Sequence, residues 1–242
     1  MPTPRLQCVV LSGGLGTRLG ELGRHRPKHL VPVLGRPFAH RQLEWLAEQG
    51  VTDVVECIGH LGDEIRSAVG DGSAFGLSVV YSADGATLRP GTGGALVLAH
   101  RRGLLQQRFL VLYGDSWLRM SLRDLVEAAD RTDTPATMAV LDNRNGREPS
   151  NAEVHNGLVR YSKDGRGTGR THIDYGVSVL DRELLDRLDD GGEHPQCDLA
   201  DAVAAWSADG LVSAFEVRRP YDEVGTPEGV ARLEAALLAE DG

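Results

Sequence analysis

Basic residues are in short supply in this chain: 26 lysines and arginines stand against 35 aspartates and glutamates, a formal net charge of −9 at pH 7. A surface of that sign repels phosphate backbones and disfavours general nucleic-acid binding. A small anionic substrate would need a local basic site to hold it against the overall field. Cysteine is scarce as well, with three in 242 residues. Cys8, Cys57 and Cys197 form no CxxC and no Cys/His pair at ligand spacing, so structural zinc has little support. Cys8 and Cys57 sit inside apolar runs, where a thiol behaves as a small hydrophobe. No apolar stretch approaches the roughly 18–20 residues that span a bilayer. The N-terminus runs straight into a strand without the apolar region of a signal peptide. Linkers, low-complexity tracts and internal repeats are lacking too. The expectation is a cytoplasmic protein with neither a membrane nor a nucleic acid as partner, built as one domain over residues 1–242. Its oligomeric state is not legible.

What is present is an alternation. Apolar runs at Leu6–Leu11, Val51–Ile58, Leu77–Tyr81, Phe109–Tyr113 and Ala136–Leu141 read as strands. Between them, Phe38–Gln49, Asp63–Val69, Gly93–Arg102 and Leu122–Arg131 have helical spacing. Near-continuous apolar strands separated by amphipathic helices imply a parallel sheet covered on both faces. In such α/β sheets ligands bind beyond the carboxyl ends of the strands, so functional loops should follow strands directly. The last hundred residues are less regular. Ala152–Ser162 and Ile173–Leu180 read as strands flanking a glycine-rich turn, Leu185–Leu188 and Leu199–Trp206 as helical, Leu211–Val217 as a strand and Pro227–Leu238 as a helix. The expected architecture is Rossmann-like and doubly wound, a mixed, mainly parallel sheet. Residues 1–141 form its core, and residues 142–242 add a small substrate-side lobe and a closing helix.

The loop after Leu11 carries the most information. Ser12-Gly13-Gly14-Leu15-Gly16-Thr17-Arg18-Leu19 places three glycines in four positions, which lets the backbone turn sharply and present N–H groups to phosphate oxygens. Arg18 adds a donor fork suited to bidentate phosphate contact, and Arg26-Pro27-Lys28 supplies a second positive charge. A Walker loop is excluded because no Gly-Lys-Ser/Thr follows at the required spacing. A GxGxxG fingerprint is excluded too, because Gly14 to Gly20 is one residue too long.

GGLGTRLG followed by RPKHLVPVLGRPF resembles the signature of the sugar-1-phosphate nucleotidylyltransferases. The resemblance continues in order through PGTGGAL, YGDS and a late VGTPEG. It implies a Mg²⁺-dependent reaction in which an NTP and a sugar-1-phosphate give an NDP-sugar and pyrophosphate. It also implies nucleotide contacts from Leu11, Gly13, Gly14, Gly16 and Thr17 and from Gly91, Thr92 and Gly93, with Arg18, Lys28 and Asp115 as the catalytic set. Thr92 reads as the cap of the helix that PGTGGAL opens.

Asp115 follows an apolar strand and a glycine, a place where a carboxylate can hold Mg²⁺ against a triphosphate, although Gly-Asp after a strand is also a common turn. A second carboxylate is expected from Asp222-Glu223-Val224-Gly225-Thr226. Glu223 occupies the family's usual aspartate position, with Asp222 as the alternative. Lys163 aligns with a family lysine that contacts the sugar phosphate and reads equally as a solvated turn residue. Asp174, Tyr175 and Gly176 lie on the strand that resembles the family's sugar-contacting segment, where Asn-Ala-Gly is more usual. His29 and His172 lie near motifs and read as structural or ligand-contacting. The short chain resembles compact members using GTP with a heptose-1-phosphate. UTP- or dTTP-dependent enzymes of hexose or amino-sugar phosphates, and a non-catalytic sugar-nucleotide sensor, remain as alternatives.

Overall fold

The structure, a computed structural model, describes residues 5–14, 19, 26–84, 89–143, 146, 149–165 and 169–240. The chain opens with β1 (Leu6–Leu11), a small hairpin of β2 (Pro32–Val33) and β3 (Arg36–Pro37), and helix α1 (Phe38–Glu48). There follow β4 (Val51–Ile58), α2 (Gly62–Val69), β5 (Ser78–Ala83), α3 (Gly91–Arg101), β6 (Arg108–Tyr113), the two-residue β7 (Ser116–Trp117), α4 (Leu122–Ala129) and β8 (Ala136–Asp142). The later part contributes β9 (Ala152–His155), β10 (Leu158–Tyr161), β11 (His172–Asp181), α5 (Glu183–Asp186), α6 (Leu199–Ala208), β12 (Val212–Val217), β13 (Asp222–Glu223) and α7 (Pro227–Glu240).

Nine strands share one sheet in the order β5-β4-β1-β6-β11-β8-β12-β10-β9. β5, β4, β1 and β6 pair in parallel, β11 runs against both β6 and β8, and β12 is parallel to β8. The later part of the chain therefore completes the sheet from within, because β11 enters between β6 and β8. Each central strand is apolar on both faces, as a doubly wound sheet demands. Cys8 and Val10 of β1 join the core under α1, α2 and α4, with Leu43, Ile65 and Leu125. Val9 and Leu11 join the opposite core under α3, α5 and α6, with Leu96, Leu184 and Trp206. A third, smaller cluster packs α7 through Val230 and Leu233 onto Val31, Val33 and Phe38.

Three expectations are corrected. Residues 152–162 are not one strand but the β9–β10 hairpin, turned at Asn156 and Gly157, whose φ values of 51° and 78° are both left-handed. Asn-Gly is the dipeptide that suits such a two-residue turn. Helix α3 starts at Gly91 with Pro90 as its N-cap, so Thr92 is not the cap. Its hydroxyl instead accepts from Leu199 N at 2.9 Å and faces Asp198 Oδ1 at 3.2 Å. The helix expected at Leu185–Leu188 lies at Glu183–Asp186.

One buried ion pair ties the last helix to the sheet edge. Asp222 is 6% exposed and binds Arg119 at 2.8 Å and Arg232 at 3.1 Å, while Arg119 also reaches Glu240 on α7 at 2.8 Å. Asp222→Ala leaves the Arg119 charge in a largely dry site, and we expect it to cost about 3 kcal/mol in urea unfolding. Arg232 is more than half exposed, so Arg232→Ala should cost less than about 1 kcal/mol in the same measurement.

Candidate active site

A cleft of about 840 Å³ opens where β1, β4, β5 and β6 end, lined by residues including Leu11, Gly13, Gly14, Ile58, Ala83 and Asp115. Parallel strands place their carboxyl ends on one edge, so the loops that follow them converge there. Ser12 N donates to Cys57 O and Gly114 N to Leu11 O, both at 3.0 Å. A Cβ on Gly114 would stand 3.0 Å from Leu11 O, so the close passage of the two strand ends needs glycine. Asp115 is delivered directly after that contact.

Lys28 and Asp115, 87 residues apart in sequence, are bonded through Nζ and Oδ2, each mostly withdrawn from solvent. Lys28 opens a single 3₁₀ turn, Lys28–Leu30, fixed by Leu30 N donating to Pro27 O at 2.9 Å. The second carboxylate arrives through the short antiparallel β7–β13 ladder, in which Glu223 stands opposite Ser116 and Asp222 opposite Trp117. Val224 N donates to Asp115 O at 2.9 Å, which holds the two carboxylate-bearing segments together. Neighbouring residues on a strand face opposite sides. Asp222 is thereby committed to Arg119 and Arg232, and Glu223 turns to the lysine side. A Cβ built on Gly225 would lie 3.0 Å from Lys28 Nζ and 3.9 Å from Glu223 Oε2, so these two side chains flank Gly225.

Of the remaining expected residues, Gly91 and Thr92 line the cleft. Gly93 is buried against Cys197, where a Cβ would stand 2.9 Å from Sγ. Its small size therefore serves the packing of α3 onto the segment before α6. Gly16, Thr17 and Arg18 lie outside the described residues. Lys163 sits in the turn after β10, half-exposed, and binds Asp198 at 2.7 Å and Asp201 at 3.2 Å, away from the cleft lining. Asp174 is at an irregularity in β11, accepts from Gly176 N at 2.9 Å, and is raised by burial to about 6. Gly176 adopts φ +88°, and a Cβ there would be 3.0 Å from Ser116 Oγ. Tyr175 is corrected outright. Its ring is fully buried in the core, its hydroxyl donates to Arg219 O at 2.8 Å and accepts from Arg119 N at 3.2 Å, and it faces no ligand space. Alternation along β11 sends Asp174 and Tyr175 to opposite faces.

Two acidic residues escaped the sequence reading. Asp84, at the end of β5, lines the cleft, is raised by burial to about 6, and packs so tightly that a Cβ on Gly13 would stand 3.1 Å from its Oδ2. Glu56 lies wholly buried within β4, and burial pushes its carboxyl up to about 8. The signal for it was present, since an acid in the run Val54-Val55-Glu56-Cys57-Ile58 breaks an otherwise apolar central strand. His29 is also buried, and burial lowers it to about 4.

Residues 7–166 match the Nucleotidyl transferase family. The low-salt glycan biosynthesis nucleotidyltransferase Agl11 of Haloferax volcanii is 29% identical over 98% of this chain and 67% of its own length. A glucose-1-phosphate thymidylyltransferase of Streptomyces antibioticus is 31% identical over 81% of this chain and 47% of its own. The match thus spans 67% of the length of one relative and less than half of the other. Among solved structures, HddC of Yersinia pseudotuberculosis complexed with GMP-PN superposes with a TM-score of 0.75 at 24% identity, covering 96% of this chain and 99% of that one. The nine-stranded sheet with helices on both faces is accordingly the nucleotide-diphospho-sugar transferase fold.

Two outcomes follow from this geometry. Gly225→Ala places a methyl against Lys28 Nζ, the movable end of a flexible side chain. We expect the variant to fold with its melting temperature nearly unchanged while kcat drops about tenfold. Glu56 is raised in the folded state, so its contribution to stability is fully present below its ordinary pKa near 4.5 and is lost as pH rises toward 8. His29 acts in the opposite sense, its contribution being lost as pH falls from 6.5 through about 4. In urea unfolding, Glu56→Gln should therefore gain stability relative to wild type as pH rises from 5 to 8. An unchanged difference across that window would contradict a buried, neutral Glu56.

Proposed function

The chain belongs to the nucleotidyl transferase family, and from that premise we propose that it joins an NTP to a sugar-1-phosphate, releasing pyrophosphate. The carrying observation is the Lys28–Asp115 pair at the carboxyl edge of the sheet, with Glu223 on the adjoining segment near Gly225. In the reaction, an oxygen of the sugar phosphate attacks the α-phosphorus of the NTP. A new P–O bond forms there as the α–β bridging bond breaks, and its electron pair leaves with pyrophosphate. Such a transfer depends on alignment and charge neutralisation rather than on a covalent intermediate. Lys28 offsets charge between the two anionic reactants, and Arg18 is assigned to the leaving pyrophosphate. Gly13 and Gly14 offer backbone N–H groups to phosphate oxygens, and the Gly91-Thr92 segment forms the wall for base and ribose.

Asp115 and Glu223 suit a divalent cation of the Mg²⁺ type, because they supply hard oxygens from two segments held side by side. Such an ion takes its remaining donors from water and phosphates. When bound, it would neutralise phosphate charge. Asp222 is unsuited to that role, since both its oxygens already serve arginines.

We favour GTP as the nucleotide, with a heptose-type sugar-1-phosphate. The GMP-PN bound to a neighbour of the same fold and nearly the same length supports the nucleotide. The second reading, dTTP with a hexose-1-phosphate, is supported by the thymidylyltransferase relative. Contacts from Lys163 and Asp174 to the sugar phosphate and the sugar belong to this proposal. Lys163 would have to exchange its carboxylate partners for the phosphate.

The test is pyrophosphate release from ATP, GTP, CTP, UTP and dTTP against heptose-, mannose-, glucose- and N-acetylglucosamine-1-phosphates, with Mg²⁺ and with EDTA. GTP with the heptose phosphate should give the highest kcat/KM, and EDTA should abolish it. Asp115→Ala and Lys28→Ala should fold and lose at least about a hundredfold in kcat. Wild-type turnover in either would remove the assignment.

A further inference from the structure

From the cleft wall, which Ser12 and His29 line, a row of buried polar side chains that none of the roles above uses runs back to Glu56 and Gln42. Glu56 is fully buried in β4, between β1 and β5. Its Oε2 accepts from Ser12 Oγ and lies 3.7 Å from His29 Nδ1. His29, 1% exposed, meets Gln42 Oε1 through Nε2 at 3.0 Å. Gln42, on α1, donates from Nε2 to Tyr113 O at 3.2 Å and to Ser116 O at 2.8 Å. Those two carbonyls fix the orientation of the Gln42 amide, with nitrogen toward the sheet and oxygen toward the imidazole. His29 Nε2 must then carry hydrogen, which leaves Nδ1 facing Glu56.

The ends of this line are informative. Ser12 opens the glycine loop, His29 is the residue after Lys28, and Tyr113 and Ser116 bracket Asp115. Three segments distant in sequence, each carrying one part of the site, thus meet through side chains, by hydrogen bonds at Ser12–Glu56 and His29–Gln42 and by packing at 3.7 Å between Glu56 and His29. Burying such groups is costly, and apolar residues of similar volume commonly leave a fold as stable or more so. Stability by itself does not explain their presence between Leu43, Leu46 and Val10 in an otherwise apolar layer.

We propose that Glu56, His29 and Gln42 are positioning residues that hold the glycine loop, Lys28 and Asp115 in one fixed arrangement. The proposal rests on the reading that Lys28 and Asp115 act on the reacting phosphates. Misplacement by about 1 Å can cost about a hundredfold in rate, so a loosened relay should be felt in kcat and scarcely in KM.

The experiment compares wild type with Glu56→Met, Gln42→Met, the double variant and Glu56→Gln, in the full chain with the wild-type's preferred substrates. Glu56→Met and Gln42→Met should lower kcat about tenfold or more, with both KM values within about twofold. Glu56→Gln keeps an acceptor for Ser12 and turns its amide toward His29 Nδ1, so it should stay within about threefold of wild type. Breaking one relay twice is not additive, so the double variant should be no more than about threefold worse than the worse single one. Should Glu56→Met not fold, Gln42→Met against wild type carries the same expectation. A second readout needs no turnover: acetylation of Lys28 by acetic anhydride, followed by mass spectrometry, should speed up in Glu56→Met and Gln42→Met. An inactive wild type would remove the proposed function, and the acetylation rates would still decide the relay. Wild-type kcat in either single variant, a double variant whose loss is the product of the singles, or unchanged acetylation would overturn the relay.

Discussion

The amide of Gly114 donates to the carbonyl of Leu11 at 3.0 Å and closes the last rung between β6 and β1, at the edge where both strands end. The cleft opens along that edge. Because β5, β4, β1 and β6 run in parallel, the loops after Leu11, Ile58, Ala83 and Tyr113 emerge together and enclose the cleft. An antiparallel arrangement of the same strands would have sent half of those loops to the far side. Glycine at position 114 lets the two strand ends approach closely enough for the glycine loop and Asp115 to face the same space.

The second half of the site comes from the other end of the chain, and the device that delivers it is small. Two residues of β13 pair with two of β7, so Glu223 lands beside the segment that carries Asp115. The neighbouring Asp222 is turned toward Arg119 and Arg232, and its ion pairs with them anchor the ladder and α7. Adjacent acids therefore have opposite fates. One stabilises the fold in a largely dry environment, and the other presents its oxygens to the lysine side of the cleft. Strand alternation decides which is which.

A bonded lysine and aspartate with a glutamate on the adjoining segment, beside a buried acid and imidazole, are more polar than an efficient core requires. Such concentrations of partly desolvated charge are typical of sites where pKa values and charge neutralisation matter. They are tolerated here because the two apolar layers on either face of the sheet are extensive. The earlier and later parts of the chain are also tied together: Thr92 on α3 bonds Leu199 and Asp198, and Asp198 in turn holds Lys163.

Much of this was legible in the linear order of residues. The period of apolar runs located the core strands and helices to within a residue or two, because burial on both faces of a parallel sheet leaves a composition that local pattern can read. The motifs singled out Lys28 and Asp115, 87 residues apart, and the structure brings these two side chains together. The hairpin turn at Asn156-Gly157 carried its own signal and was passed over. The tertiary structure alone decided matters that depend on which side a residue faces and what lies across from it. Tyr175 belongs to the core although it adjoins Asp174. Asp222 is spent on Arg119 and Arg232, which leaves Glu223 beside Gly225. Gly93 is small for the sake of Cys197 and not for a ligand, and Glu56 reaches Ser12 and His29 across strands distant in sequence. Local order specifies the period of a chain, while the partners of a side chain are set by long-range pairing that no local window contains.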